Sequence, residues 1–342
     1  MTIEQIRQQI NSPEYDFLKT NPHLGDNIIL LGLGGSHSYG TAIESSDIDV
    51  RGCATRSARD ILIGHDFEQV VNEATDTTIY SLDKLVKLLV SCNPNCIEQL
   101  GLKPEHYLYV APAGQLLLDN AELFLSKRAA YSFGGYAMAQ LNRLCNKSGR
   151  AVEEVSTNET RSLQKAISAM KRDKQCSDVT VEEIDGVPTI HIHDSFSADS
   201  FYKFAQVINN VHSDYHSSSR NTKAQSHGKL AKHQMHLVRL YLMAKDILED
   251  SKIITYREKE HDFLMDIRNG KYLTEDSRPT QEFMDMVGEL EQGLKDSIKK
   301  SPLPDKPDEE RINDLLADIN ESIVCGGTPV RNMMQEHDDV DR

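Results

Sequence analysis

The sequence predicts an α+β protein, with a mixed sheet flanked by helices in its first third and a mainly helical remainder that carries an inserted β-hairpin. Three observations predict this. Short β-branched and leucine-rich runs bounded by glycine or aspartate fall within residues 27–80. From Ala129 onward, apolar residues recur at helical spacing. The stretch Val179 to His193 alternates around Asp185-Gly186, the pattern of a hairpin.

Taken in order, Asn27 to Leu33 reads as a strand running into glycines, and Ile48 to Gly52 as a second; together they form a hairpin-like pair around a short turn and helix. Thr77 to Tyr80 is a further strand. Ser81 to Leu89 places leucines at helical spacing, and Asn93-Pro94 stops that helix. Beyond a boundary near residue 125, Tyr136, Met138, Leu141 and Leu144 supply the apolar stripe of a helix. The polar stretch His216 to Gly228 reads as a loop. Helices are expected over Lys229 to Leu248, Asp262 to Asn269 and Gln281 to Lys299. Pro302, Pro304 and Pro307 then form a linker before a last helix, Glu309 to Val324. The expected division is 1–125, then 126–300 with the hairpin near 179–193, then 301–342 as linker, terminal helix and tail.

Bulk composition excludes several classes. At 342 residues the chain can bury a substantial core, and 39% apolar content without any bilayer-length apolar run argues against a membrane protein. The N-terminus MTIEQIRQQI is polar rather than signal-like. Six cysteines lack CxxC spacing, which suits reduced thiols in a cytoplasmic setting and no structural zinc. With 53 acidic against 38 basic side chains and a net charge of -15, sequence-blind binding to a nucleic-acid backbone is not expected, so any such contact needs a local basic patch.

The chemistry is concentrated between Leu33 and Val50. Gly34 and Gly35 lack a β-carbon, so backbone there can approach a triphosphate closely, and Ser36 at the start of a short helix adds a hydroxyl and exposed amides. Asp47 and Asp49 follow, two apart. In an extended strand, side chains at i and i+2 share a face, so the carboxylates lie side by side while Ile48 and Val50 point inward. Paired carboxylates repel unless a cation lies between them, and magnesium, with manganese as a substitute, prefers such hard oxygen ligands. A third carboxylate would complete a two-metal site. Asp76, just before the third strand, is the candidate, with Glu73 and Asp83 as competitors. A dinucleotide-binding turn is disfavoured, because His37 stands where the last glycine should fall.

The pattern Gly-Gly-Ser, a spacer and Asp-x-Asp resembles that of the DNA polymerase beta superfamily of nucleotidyltransferases. More narrowly, Gly35-Ser36-His37-Ser38-Tyr39-Gly40, Ser46-Asp47-Ile48-Asp49-Val50-Arg51-Gly52, the Asp76 to Lys84 segment and Asn93-Pro94-Asn95-Cys96-Ile97-Glu98 are similar to the RNA-repair-associated nucleotidyltransferases of bacteria and phages. Gly135-Tyr136-Ala137, the Lys232 to Leu240 run, Ile254 to Arg257 and Ile267 to Gly270 extend the likeness into the second half. The resemblance implies a nucleotidyltransferase catalytic domain over 1–125, transfer of a nucleotidyl group from an NTP with release of pyrophosphate, and magnesium dependence. It also implies a cytoplasmic setting in a bacterium or a phage-infected one. An RNA end is one acceptor it suggests; a protein or small-molecule hydroxyl, as in AMPylation, and a non-catalytic nucleotide-binding module are the alternatives. It carries phosphate contact onto Gly35 and Ser36 and metal binding onto Asp47, Asp49 and Asp76.

On the helix expected over Lys229 to Leu248, Lys232, His236 and Arg239 share a stripe beside an apolar face, with Lys229 a turn earlier. Such a stripe can aim positive charge at a departing pyrophosphate, or form a solvated basic face. Arg257 and Arg268 are either further phosphate contacts or salt-bridge partners. His37 either touches the triphosphate or packs beside Tyr39, and His191 with His193 reads as one face of an exposed hairpin.

Overall fold

The computed structural model describes residues 1–147, 152–172, 176–184, 187–216, 227–275 and 277–326. The chain packs as two compact units that interleave along the sequence. Among the described residues, one comprises those within 1–138, 237–265 and 286–326, the other those within 139–236 and 266–285. By packing, residues 237–265 and 286–324 fall in the same unit as the N-terminal sheet.

The first unit is built on a five-stranded sheet of β1 (Ile28–Leu33), β2 (Val50–Ala54), β3 (Gln69–Asn72), β4 (Thr77–Ser81) and β5 (Tyr107–Val110), in the order β3-β4-β2-β1-β5. β2 and β4 are parallel and every other pair is antiparallel, so the sheet is mixed as expected. β1 is buried along its whole length, which is why its sequence is an unbroken apolar run. Ile28, Leu31 and Leu33 of β1 pack with Ile48, Val50 and Ile79 against Ile6, Tyr15 and Leu18 from the N-terminal helices. Sequence patterning missed several elements here, among them the helices Ile3–Ile10, Ala58–Ile63 and Pro112–Asp119 and the edge strands β3 and β5. Both edge strands are short and half-exposed, so neither shows a strong period. The second strand starts at Val50, two residues later than expected, so Asp47 and Asp49 lead into it instead of lying within it.

Helix punctuation matches the sequence signals. Ser81 caps the helix Leu82–Val90 by accepting from Lys84 N, and Asn93 caps the short helix Pro94–Ile97 after it. The terminal helix Glu309–Val324 has the expected bounds, with Asp308 as its cap.

In the second unit, β6 (Val179–Ile184) and β7 (Val187–Ile192) form the antiparallel hairpin, and the Asp185-Gly186 turn itself falls outside the described residues. Leu163, Ile167 and Met170 of the helix Val152–Arg172 pack with Val179 and Val181 of the hairpin and with Phe204 of the helix Ala198–His216. The expected 216–228 loop lies mostly, and the tail beyond 326 wholly, outside the described residues. Among the described residues, no helix is long and apolar enough to cross a membrane.

Candidate active site

At the end of β1 the chain bends through Gly34 into the short helix Gly35–Tyr39, which Gly40 ends. The pairing of Leu33 with Val50 continues one step further, because Gly34 N donates to the carbonyl of Asp49 at 2.7 Å. The glycine turn therefore lies on the Asp49 carboxylate. A β-carbon at Gly34 would sit 2.7 Å from Asp49 Oδ1, and one at Gly35 would sit 2.8 Å from Oδ2. Gly35 also adopts φ +55°, a region that side chains disfavour. The two glycines are thus required by the aspartate, and the two halves of the sequence motif form one object. Ser36 is buried on this helix, and its carbonyl accepts from Thr41 N at 2.9 Å.

Asp47 is exposed, Ile48 buried, Asp49 half-buried and Val50 buried. The predicted alternation holds although the ladder begins only at Val50. In the parallel pair β2 and β4, Val50 aligns with Thr77, and Val50 N donates to the Asp76 carbonyl at 3.2 Å. Asp49 and Asp76 consequently stand side by side, each one residue before its strand. Asp76 is exposed and has φ +42°.

Between them lies Arg51, which sequence reasoning quoted without a role. Its Nη1 is 2.8 Å from Asp49 Oδ1 and donates to the Asp76 carbonyl at 3.0 Å, while Nη2 is 3.5 Å from Asp76 Oδ1. The signal was available, since Arg51 is two residues past Asp49 and so shares its face. Among the described residues, no three His, Cys, Asp or Glu side chains gather closely enough to hold a metal ion. The expected trio of Asp47, Asp49 and Asp76 is therefore not drawn together here, and a guanidinium supplies the positive charge between two of them.

The basic stripe on the helix His227–Asp250 is graded in depth. Lys232 is exposed, His233 and His236 are half-buried, and Arg239 is buried; the Lys229 side chain falls outside the description. Arg239 enters the core because its neighbours Leu237, Val238, Leu240 and Tyr241 are all buried. It is not an outward-facing phosphate contact: Nη1 pairs with Glu98 Oε2 at 3.0 Å, and the guanidinium lies 3.3 Å over the Tyr39 ring. The Tyr39 hydroxyl donates to the same Glu98 oxygen at 2.5 Å. Burial raises the Tyr39 phenol well above its ordinary pKa, which keeps it a donor. Tyr39 closes the glycine-turn helix, so this buried trio anchors the turn from behind. Glu98 was a further residue to which the sequence reading gave no role.

Arg257 is a buried salt-bridge partner of Asp246, with Glu260 3.8 Å away, and Arg268 is also buried. His191 pairs with Glu182 across the hairpin at 2.8 Å. His37 is buried beside the turn and hydrogen-bonds the Ser46 backbone; burial lowers its pKa. His106 is likewise buried and lowered, with a hydrogen bond to the Ser38 backbone.

Residues 5–166 match a family described as the RNA repair pathway DNA polymerase beta family. The matched span contains the glycine turn, all three aspartates, Arg51 and Glu98, and it bears out the resemblance read from the motifs. A polymerase-beta-type nucleotidyltransferase related to RNA repair is what that family suggests. A curated relative, an uncharacterized 38.9 kDa protein from the nrdC-mobD intergenic region of Enterobacteria phage T4, is 22% identical over 320 residues, covering 82% of this chain and 94% of the relative. No solved structure matches significantly.

Proposed function

We propose that the chain transfers a nucleotidyl group from an NTP to an acceptor hydroxyl, with an RNA end as the acceptor and pyrophosphate as the leaving product. One observation carries the reading: the Asp49 carboxylate rests against Gly34 and Gly35 with no space for a β-carbon on either glycine. The glycines bring the backbone of the turn directly onto the Asp49 carboxylate, a hard oxygen donor of the kind a divalent cation prefers, so phosphate oxygens held by such a cation would lie at the amides of the same turn. Asp49 and Asp76 stand side by side, and with Asp47 they are the residues that would hold magnesium or manganese. When bound, such ions lower the pKa of the attacking hydroxyl and neutralise charge developing on the leaving pyrophosphate.

The chain's own residues supply positioning. Gly35 and Ser36 orient the triphosphate for in-line attack at the α-phosphorus, and the Tyr39, Glu98 and Arg239 trio holds that turn in register. For charge neutralisation the sequence pattern also named Lys232 and His236. Arg239 drops out of that role, because its charge is already matched by Glu98 in the core.

The test is incubation with labelled ATP, CTP, GTP and UTP, each with a panel of RNA ends and proteins, using an Asp47→Asn/Asp49→Asn double variant as control. Label on RNA that disappears in the variant supports the reading. Label on protein, a rival acceptor that a net charge of -15 keeps open, moves the acceptor and keeps the chemistry. Label on nothing overturns it.

A further inference from the structure

We propose that Arg51 is a built-in counter-ion for the aspartate site, and that a divalent cation binds by displacing its guanidinium from Asp49. The inference rests on the nucleotidyltransferase reading and adds how that site loads. Four contacts carry it. Arg51 Nη1 is 2.8 Å from Asp49 Oδ1 and reaches the carbonyls of Asp76 at 3.0 Å and Val50 at 3.3 Å; Nη2 is 3.5 Å from Asp76 Oδ1. Register explains the convergence. Asp49 and Arg51 share a face of the chain, and the parallel pairing of β2 with β4 brings Asp76 beside them.

A guanidinium does not lose its proton in a protein, so the position it fills is vacated only by movement. The same Nη1 that pairs with Asp49 also serves the Asp76 and Val50 carbonyls, so the swing gives up those bonds as well; it is feasible because the Arg51 side chain is 21% exposed and the freed guanidinium can turn to water without becoming a buried unpaired charge. Asp49 likewise keeps 19% exposure, and Asp76 59%. A divalent cation brings two positive charges to carboxylates that Arg51 serves with one. A triphosphate arriving with the cation offers the released guanidinium new anionic partners. Two consequences follow: the cation alone binds weakly because it must break the Asp49 pair, and cation and nucleotide favour each other's binding because the phosphates receive what the cation expels.

The experiment is Mn2+ titration of the full chain, followed by electron paramagnetic resonance, with and without a non-hydrolysable triphosphate. Wild type, Arg51→Gln and Arg51→Lys are compared, with Asp49→Asn as the control that should weaken binding. The expected result is that Arg51→Gln binds Mn2+ about tenfold tighter than wild type without nucleotide, the order expected for one partly exposed ion pair. Its cooperativity with the triphosphate should shrink. Arg51→Lys, which keeps the charge but loses the forked geometry, should fall between the two. The thermal midpoint of Arg51→Gln in chelator should lie below that of wild type, and the gap should close as Mn2+ is added. Equal or weaker Mn2+ binding by both variants overturns the displacement model while leaving the nucleotidyltransferase reading standing. Failure of wild type to bind Mn2+ even with triphosphate overturns the parent reading, and this one with it.

Discussion

Two ion pairs in the same unit sit at opposite ends of a range. Asp49 and Arg51 meet at 2.8 Å with side chains 19% and 21% exposed, while Glu98 and Arg239 meet at 3.0 Å with side chains 9% and 2% exposed. The first pair keeps access to water and can exchange partners at small cost. The second is closed over by Tyr39 and the apolar residues around Arg239, so removing either charge strands the other in the core. Function and fold are thereby separated by a few residues: the exchangeable pair faces the glycine turn, and the sealed pair holds that turn in place.

The largest effect expected from this contrast is on activity. Replacing Asp47 and Asp49 together by Asn should reduce nucleotidyl transfer by about a thousandfold or more, in keeping with loss of a metal site. The thermal midpoint should shift by no more than about 1 kcal/mol of stability, because the partly exposed Asp49 pair is worth about that much and carboxylate repulsion is relieved. Transfer rates and thermal melts on one preparation check both halves, and a collapse of stability would erase the distinction between the two pairs.

The buried pair should behave in reverse. Arg239→Met alone should cost about 3–5 kcal/mol by leaving Glu98 uncompensated, and Arg239→Met with Glu98→Met should recover much of that loss. Denaturant unfolding of the two variants decides the matter. If the single variant costs under about 1 kcal/mol, the pair is not sealed as described.

Gly35→Ala tests the turn itself. The new methyl collides with Asp49 Oδ2 and forces a side chain into positive φ, so about 1–3 kcal/mol of stability should be lost. Part of this should return in an Asp49→Ala background, where the collision is gone but the backbone strain remains. Chemical denaturation of the two single variants and the double variant closes the cycle.

A smaller effect should appear with pH. Burial lowers the pKa of His37 and His106 below their ordinary 6.5. Both are then favoured in their neutral form when folded, so their contribution is fully present above pH 6.5 and is lost as pH falls below it, where the unfolded chain takes up protons first. The thermal midpoint should fall on acidification through this range, and His37→Gln with His106→Gln should flatten that slope. The smallest change is expected at exposed Lys232: Lys232→Ala should alter stability, read by thermal melts, by less than about 0.5 kcal/mol.

How far the sequence reached follows the same contrast. The Gly34 to Asp49 motif was legible because strand parity and the needs of a bare turn are local constraints, and both survive into the structure even though β2 starts at Val50. The helix His227–Asp250 was legible as a helix with Lys232, His236 and Arg239 on one stripe. Periodicity, however, gives a direction around the axis and not a depth, so the burial of Arg239 depended on Glu98, which is distant in sequence. Arg51 was hidden for a related reason: its parity with Asp49 was visible, but its bridge to Asp76 required the parallel register of β2 and β4. The edge strands β3 and β5 were missed because short half-exposed strands lack a clear period.

In the proposed function, Asp47 and Asp49 serve a nucleotide laid on the Gly35-Ser36 turn. The most direct measurement is a crystal of the full chain grown with Mn2+ and a non-hydrolysable triphosphate, with the ion located by its anomalous signal. The account requires an ion against the carboxylates of Asp47 and Asp49, with phosphate oxygens at the backbone of Gly35 and Ser36. A bound triphosphate lying elsewhere, with Asp49 still paired to Arg51 and no ion beside it, would contradict it.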